Sequence, residues 1–277
     1  NREWFDMQSA KQFAARFVML WAVSLPLQAD ITITQLANEG AIISSGDARV
    51  MIDGMVVEPY SVYGGLPQTA VPDYQSASGA FAGIDLALSS HRHHDHHQPR
   101  FACSFLQGSA EVHFYSGSQV LGLTREKCRD FVTTSPRVHE VAPQRGQPEI
   151  IEGDGYRVTV FPLSHGTRKY ARIQNNGHLI EIGGMKVLHI GDAAMDPTDF
   201  IHAGLAEVAL DVALIPFWYF QPGPGSEVID GYIKARHKIA VHIPPGEMAE
   251  VKEHLGSNYP DVLILENPLD EASFSPN

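Results

Sequence analysis

Between residues 90 and 97 the chain reads Ser-His-Arg-His-His-Asp-His-His, which puts five histidines and an aspartate within seven residues. Neutral imidazole and carboxylate are the side chains that hold hydrolytic zinc and related divalent ions. The apolar run Ile84 to Leu88 just upstream reads as a buried strand, so the cluster sits at a strand's end. In the loop that follows, His91 and His93 can converge on one ion while Asp95 and His96 turn toward a second. A surface cluster or an expression tag would give a similar composition, but an interior position behind a hydrophobic strand argues against both.

Three more metal-binding side chains end apolar runs further along. His165 follows Tyr156 to Phe161 and Pro162-Leu163-Ser164, Asp192 follows the hairpin of His178–Ile182 and Met185–Ile190 about Gly183-Gly184, and His242 closes Lys238 to Val241. Upstream, Ile31–Thr34, Ala41–Ser44 and Arg49–Asp53 alternate as strands do. Asp53, before Gly54, either caps a turn or stands behind the site as an acceptor for a metal-bound imidazole. After the cluster, the pattern predicts helices over 99–108, 118–130, 197–204, 227–236 and 247–255, and strands over 111–115, 138–141, 212–216 and 262–265. Residues 58–83 lack a sustained period and read either as a flap over the site, with Tyr60, Tyr63 and Tyr74 facing substrate, or as a plain insertion. Alternating and continuous apolar strands together fit a two-sheet core flanked by helices.

In order, His91-x-His93-x-Asp95-His96, then His165, then Gly191-Asp192, then His242 resemble the ligand pattern of the metallo-β-lactamase fold superfamily, over essentially residues 30–266. Within it the chain looks most like the branch of lactonases and phosphodiesterases that includes ascorbate-phosphate lactonase and the phospholipase D of N-acylethanolamine phospholipids. The features that point there are the hairpin into Gly191-Asp192, Pro162-Leu163-Ser164-His165 and Asp211 to Pro216. The resemblance implies an α/β fold, a four-layer αββα sandwich, in one domain over 30–277. It implies that His91, His93 and His165 hold one metal, that Asp95, His96 and His242 hold the other, and that Asp192 bridges them. The ions would be zinc, with manganese or iron also accepted by such ligands. Two ions about 3.5–4 Å apart share a hydroxide that attacks a carbonyl or phosphoryl centre, with Asp95 orienting it. The β-lactam-degrading members generally carry Cys or Ser where this chain has Asp192, so the resemblance favours an ester, lactone or phosphodiester over a β-lactam. The alternative from another class is a metal-binding or di-iron redox protein on the same fold.

His94 and His97 exceed the pattern. His94 is expected to point away from the ions, and His97 either supports the site or competes with His96. His113, His139, His178, His189, His202, His237 and His254 read as structural or surface residues. Arg168, Tyr170, Trp218 and Tyr219 join Tyr60 and Tyr63 as candidate substrate contacts, since aromatics line ligand pockets and Arg168 lies near His165.

The 277 residues carry 20 Lys+Arg against 32 Asp+Glu, a net −12, which disfavours a grip on nucleic acid or an anionic membrane and leaves a small-molecule substrate. Lys11 and Arg16 precede the apolar run Phe17 to Leu25, and a small residue, Ala29, follows. Residues 1–29 therefore read as a secretory signal, with Met7 a natural start, and place the mature chain in the periplasm or outside the cell; the alternative is an N-terminal helix on a cytoplasmic protein. The run is too short to span a bilayer. Cys103 and Cys128, the only cysteines, are free to pair in an exported protein.

Overall fold

A computed structural model describes residues 29–276; the signal-like stretch up to Gln28 lies outside the described residues. β1 (Ile31–Gln35), β2 (Ala41–Ser45) and β3 (Ala48–Ile52) form an antiparallel meander. α1 (Val71–Gln75) precedes β4 (Leu86–Ser89), α2 (Pro99–Gly108), β5 (His113–Ser116), α3 (Ser118–Lys127), α4 (Arg129–Thr134) and β6 (Val138–Glu140). The second half holds β7 (Glu149–Gly153), β8 (Tyr156–Pro162), β9 (Asn176–Ile182), β10 (Met185–His189), α5 (Pro197–His202), β11 (Val212–Pro216), α6 (Pro224–Tyr232), β12 (His237–Val241), α7 (Met248–Asn258), β13 (Val262–Leu263) and β14 (Glu271–Phe274).

The strands make two seven-stranded sheets, ordered β14-β1-β2-β3-β4-β5-β6 and β13-β12-β11-β10-β9-β8-β7. Side chains alternate across each strand, so Ile43, Val50, Ile52, Leu86 and Leu88 of the first sheet meet Val158, Ile180, Val187, Val212 and Leu214 of the second in one core. The opposite face of the first sheet, with Ile42, Met51, Ala87 and Phe114, is covered by Phe101, Phe105 and Leu106 of α2 and by Tyr74 of α1. Leu188, Ala213, Ile215 and Ala240 of the second sheet pack on Phe200, Val228, Ile229, Val251 and Leu255 from α5, α6 and α7. This is the αββα sandwich that the resemblance implies.

Two strands escape the sequence pattern. β7 places only Ile150 and Ile151 between glutamates, and β14 reads Glu-Ala-Ser-Phe. Both lie at sheet edges, where one paired neighbour fixes the strand and little apolar surface is needed. The helix expected over 118–130 is broken at Cys128, whose φ of −136° and ψ of 61° leave the helical region. That break turns the Cys128 sulfur back to Cys103 on α2, and the two form a disulfide.

Residues 58–83 are neither a single flap nor an unstructured insertion. Two short 3-10 turns flank α1 and pack on α2, and only the stretch up to Leu66 borders the site. Tyr74 is corrected from substrate contact to core residue: its ring stacks on Phe105 at 5.2 Å and its hydroxyl donates to the Phe101 carbonyl at 3.1 Å. Apolar packing wins here because Tyr74 falls on the inward face of α1.

The disulfide closes a loop 25 residues long in sequence separation. Replacing both cysteines with serine is expected to cost about 2–4 kcal/mol in denaturant unfolding, and an unchanged midpoint would show that the link contributes nothing. A second expectation concerns His178, fully buried with neither ring nitrogen hydrogen-bonded and held by burial down to about 3. The unfolded chain takes up that proton near pH ~6.5, so the stability from the neutral ring is present above that value and is lost as pH falls toward the folded pKa. His178→Leu should flatten the pH dependence of unfolding between pH ~6 and ~4 by up to about 1.4 kcal/mol per pH unit relative to wild type.

Candidate metal centre

The chemistry-bearing residues sit at the carboxyl ends of β4, β8, β10 and β12, so both sheets deliver ligands to one edge of the sandwich. After β4 the chain turns once, with His96 and His97 donating their backbone N–H groups to the His93 carbonyl at 3.0 and 2.8 Å, before Pro99 opens α2. That turn directs His91, His93, Asp95 and His96 to one side. The loops after β8 and β10 are zipped together: Gly166 donates to the Asp192 carbonyl at 2.8 Å and Ala194 to the Ser164 carbonyl at 2.7 Å, which sets His165 beside Asp192. Gly191 is left-handed at φ 54°, and a Cβ there would meet Asn175 and Ser90 at 2.4 and 2.8 Å, so only glycine lets this loop approach the cluster.

Two nests of donor atoms result. In the first, His93 Nδ1 lies 3.1 Å from His91 Nε2 and 3.1 Å from His165 Nε2, while Asp192 Oδ2 stands 3.7 and 3.4 Å from those two Nε2 atoms. In the second, His96 Nε2 and His242 Nε2 are 3.2 Å apart; Asp192 Oδ1 lies 3.2 and 3.4 Å from them, and Asp95 Oδ2 is 3.3 Å from His242 Nε2 and 3.9 Å from His96 Nε2. Ligands at 2.0–2.1 Å from a tetrahedral ion stand about 3.3 Å apart. The observed spacing is that of a coordination shell. The donor set also fits the group: a single proton at His93 Nδ1 cannot serve both imidazoles that face it, whereas a cation between them satisfies all three.

The outer ring nitrogens of His96 and His91 are tied down. His96 Nδ1 lies 2.8 Å from Asp53 Oδ2, Ser90 donates its backbone N–H to Asp53 Oδ1 at 2.6 Å, and Ser90 Oγ stands 3.0 Å from His91 Nδ1. Asp53 therefore stands behind the site, and its left-handed φ of 48° is the backbone cost of that placement. Burial by itself raises the Asp53 carboxyl, but the hydrogen bond with His96 and the charges of His96, His189 and His91 outweigh it and hold the group well below the usual carboxylate range. Burial pulls His96 down, yet Asp192 and Asp53 overcome it and push the ring well above its ordinary value. The pocket's own charges call for a cation.

Of the extra histidines, His94 is exposed and its ring lies 5.5 Å from that of Tyr60, away from the nests. His97 joins neither: its nitrogens meet Ser89 Oγ at 3.1 Å and Thr124 Oγ1 at 2.8 Å, and burial lowers it to about 4. His189, expected to be merely structural, lies under the site with Nε2 3.3 Å from the Glu39 carboxylate. Glu39 is the residue that sequence reasoning missed, since nothing in Ala37-Asn38-Glu39-Gly40 marks it as more than a turn.

An open cleft of about 420 Å³ faces the nests, lined by Tyr60, Tyr63, Tyr170 and Trp218 besides the ligands. The Tyr63 and Trp218 rings meet the His242 ring edge-on at 4.6 and 4.8 Å, and Tyr170 stands 5.2 Å from His165. Two candidate contacts are corrected. Tyr219 is fully buried and donates its hydroxyl to the Ala193 carbonyl at 2.8 Å, because the 3-10 turn at Phe217–Phe220 sends Tyr219 and Phe220 into the core and leaves Trp218 at the cleft. Arg168 is exposed and absent from the cleft lining.

Residues 60–265 match the beta-lactamase superfamily domain family. The chain belongs to it. Among solved structures, the superfamily fold recurs in Igni18, a metallo hydrolase of the archaeon Ignicoccus hospitalis, at 15% identity and a TM-score of 0.59 over 90% of this chain and 100% of that one. It recurs in YhfI of Bacillus subtilis at 15% identity and 0.57 over 89% and 100%, and in an isothiocyanate hydrolase from Delia radicum gut bacteria at 13% and 0.62 over 88% and 100%. No curated protein matches the chain. The family and the His/Asp cluster together fit a metal site.

Asp53→Asn should leave the fold intact and weaken divalent-metal binding by about 10–100-fold in a chelator competition, since it removes the charge that orients His96. Wild-type affinity in that variant would refute the supporting role.

Proposed function

We propose that this protein is a two-metal hydrolase of uncharged lactones or carboxylic esters. His91, His93 and His165 would hold one ion, His96, His242 and Asp95 the other, and Asp192 both. The observation that carries this reading is the split of one carboxylate, with Asp192 Oδ2 turned to the first nest and Oδ1 to the second. Zinc suits the first set of three imidazoles and one carboxylate oxygen. Such a pair of ions, when bound, lowers the pKa of water toward neutrality and polarises the bond to be cut.

The chain's own residues do the rest. Asp53 and Ser90 hold His96 and His91 in the orientation described above. Asp95 projects into the cleft beside His242 and can accept a hydrogen bond from the attacking water. Tyr63 is pushed up to about 12 by burial and by the nearby Asp95 and Asp192, so its hydroxyl stays protonated and can donate to an oxygen that gains charge in the reaction. Trp218 and Tyr170 form walls that an apolar acyl or alkyl group can rest against.

The cleft lining supports the first of the two substrate classes. No lysine or arginine is among its lining residues; Arg168, Lys169 and Arg172 are exposed, and the Lys169 ammonium lies over the Tyr170 ring at 5.1 Å. A phosphodiester is often received by a guanidinium fork beside the ions, and the cleft lining offers none. A neutral carbonyl compound needs none. The lactonase side of the resembled branch agrees with this. Export to an oxidising compartment is part of the same proposal, supported by the Cys103–Cys128 disulfide and the basic-then-apolar pattern of residues 11–25.

Metal-reconstituted protein should turn over lactones and aryl esters and leave phosphodiesters and β-lactams largely untouched. Asp192→Ala and His93→Ala should each lower kcat/KM by at least about 100-fold, equivalent to about 2.7 kcal/mol of transition-state stabilisation. Preferential phosphodiester cleavage would overturn the substrate class, and wild-type turnover in either variant would overturn the site.

A further inference from the structure

Glu39 occupies the turn between β1 and β2 and is fully buried, yet neither carboxylate oxygen accepts a hydrogen bond. Among the described residues, the one basic group within ion-pair distance is the His189 imidazole, 3.3 Å from Oε1, and its Nε2 also stands 3.4 Å from Glu39's own carbonyl oxygen. An ionised carboxylate left this way inside a protein costs several kcal/mol unless a cation answers it. No lysine or arginine of the described residues reaches it.

What does reach it is the second nest. A Glu39 oxygen lies within 4.8 Å of ligand atoms of His96, Asp192 and His242, from beneath, while Asp95 approaches the same imidazoles from the cleft. In an octahedron with bonds of about 2.1 Å, opposite corners stand about 4.2 Å apart and adjacent ones about 3.0 Å, so rotation of the Glu39 side chain toward the ion would bring it into the shell. The turn is built to hold the side chain there. Leu36 donates to the Gly40 carbonyl at 2.7 Å and Gly40 to the Ala37 carbonyl at 2.9 Å, while the Asn38 amide donates to the Asp95 carbonyl at 3.2 Å. A Cβ at Gly40 would stand 2.6 Å from the Asp53 carbonyl oxygen, so the turn lies directly against the segment that supports His96.

We infer that Glu39 is an additional carboxylate ligand of the second ion, and that it makes the two metal positions chemically unequal. This rests on the two-metal reading above. The first position offers three imidazole nitrogens and one carboxylate oxygen, a four-donor set suited to zinc. With Glu39 the second offers His96, His242, Asp95, Asp192 and Glu39, five donors of which three are carboxylates. That set favours a six-coordinate ion of the manganese(II) type, with one corner left for water or substrate.

The test uses the full chain freed of metal by a chelator and reloaded with zinc(II), manganese(II) or cobalt(II). Wild type should bind two ions, and manganese(II), followed by the loss of its free-ion electron paramagnetic resonance signal, should fill the second position in protein already holding one equivalent of zinc. Glu39→Gln keeps the side chain's shape and removes its charge. It should retain the first zinc and a native circular dichroism spectrum but bind manganese at least about 100-fold more weakly, whereas Glu39→Asp, which keeps a carboxylate, should recover part of that affinity. Unchanged manganese binding in Glu39→Gln would overturn the assignment while leaving the two-metal reading in place; a wild type that binds no more than one ion would overturn both. Cobalt(II) gives a check that needs no variant. The first equivalent should show the intense visible band of four-coordinate cobalt and the second only the weak band of six-coordinate cobalt, and two intense bands would overturn the proposal.

Discussion

Four carboxylates, those of Glu39, Asp53, Asp95 and Asp192, are gathered with the imidazoles of His91, His93, His96, His165, His189 and His242 into one largely buried corner. Like charges at such separations in a poorly solvated space repel strongly, and among the described residues no lysine or arginine enters to compensate. The corner balances only with positive charge at its centre. The outer nitrogens of His96 and His91, held by Asp53 and Ser90, and the left-handed backbone at Asp53 and His242 keep those groups aimed inward despite the repulsion.

The sandwich makes that possible by sharing the load between its halves. The first sheet supplies the dense cluster after β4 together with Asp53 after β3, and the second supplies His165, Asp192 and His242 from three separate strands. A shared apolar core fixes the two sheets relative to each other, so the ligand positions inherit the rigidity of packed strands. Loops then adjust the final approach, through the Gly191 left-handed turn on one side and the Gly40 turn on the other.

On the solvent side the character changes. Tyr60, Tyr63, Tyr170 and Trp218 frame the opening with π faces and hydroxyls, against a chain whose net charge is −12. Aromatic faces beside a metal site of this kind give an apolar group of a small molecule a surface to rest against.

How far the sequence reaches follows from which interactions are local. The run of five histidines after an apolar strand, the Gly191-Asp192 step after a hairpin, and His165 and His242 at strand ends are periodic or adjacent signals, and they were enough to point to the fold class and to the residues that the structure gathers at one edge. The edge strands β7 and β14 were not legible, because one neighbour's hydrogen bonds rather than their own composition make them strands. Tyr74 and Tyr219 looked like substrate contacts, since a tyrosine reads the same whether its ring faces a cleft or a core. Only the tertiary structure decided that His97 belongs to Ser89 and Thr124, that Asp53 stands behind His96, and that Glu39, more than fifty residues before its nearest ligand neighbour, lies beneath the second nest. Those relations are made by packing one sheet against another, and no spacing along a single chain encodes them directly.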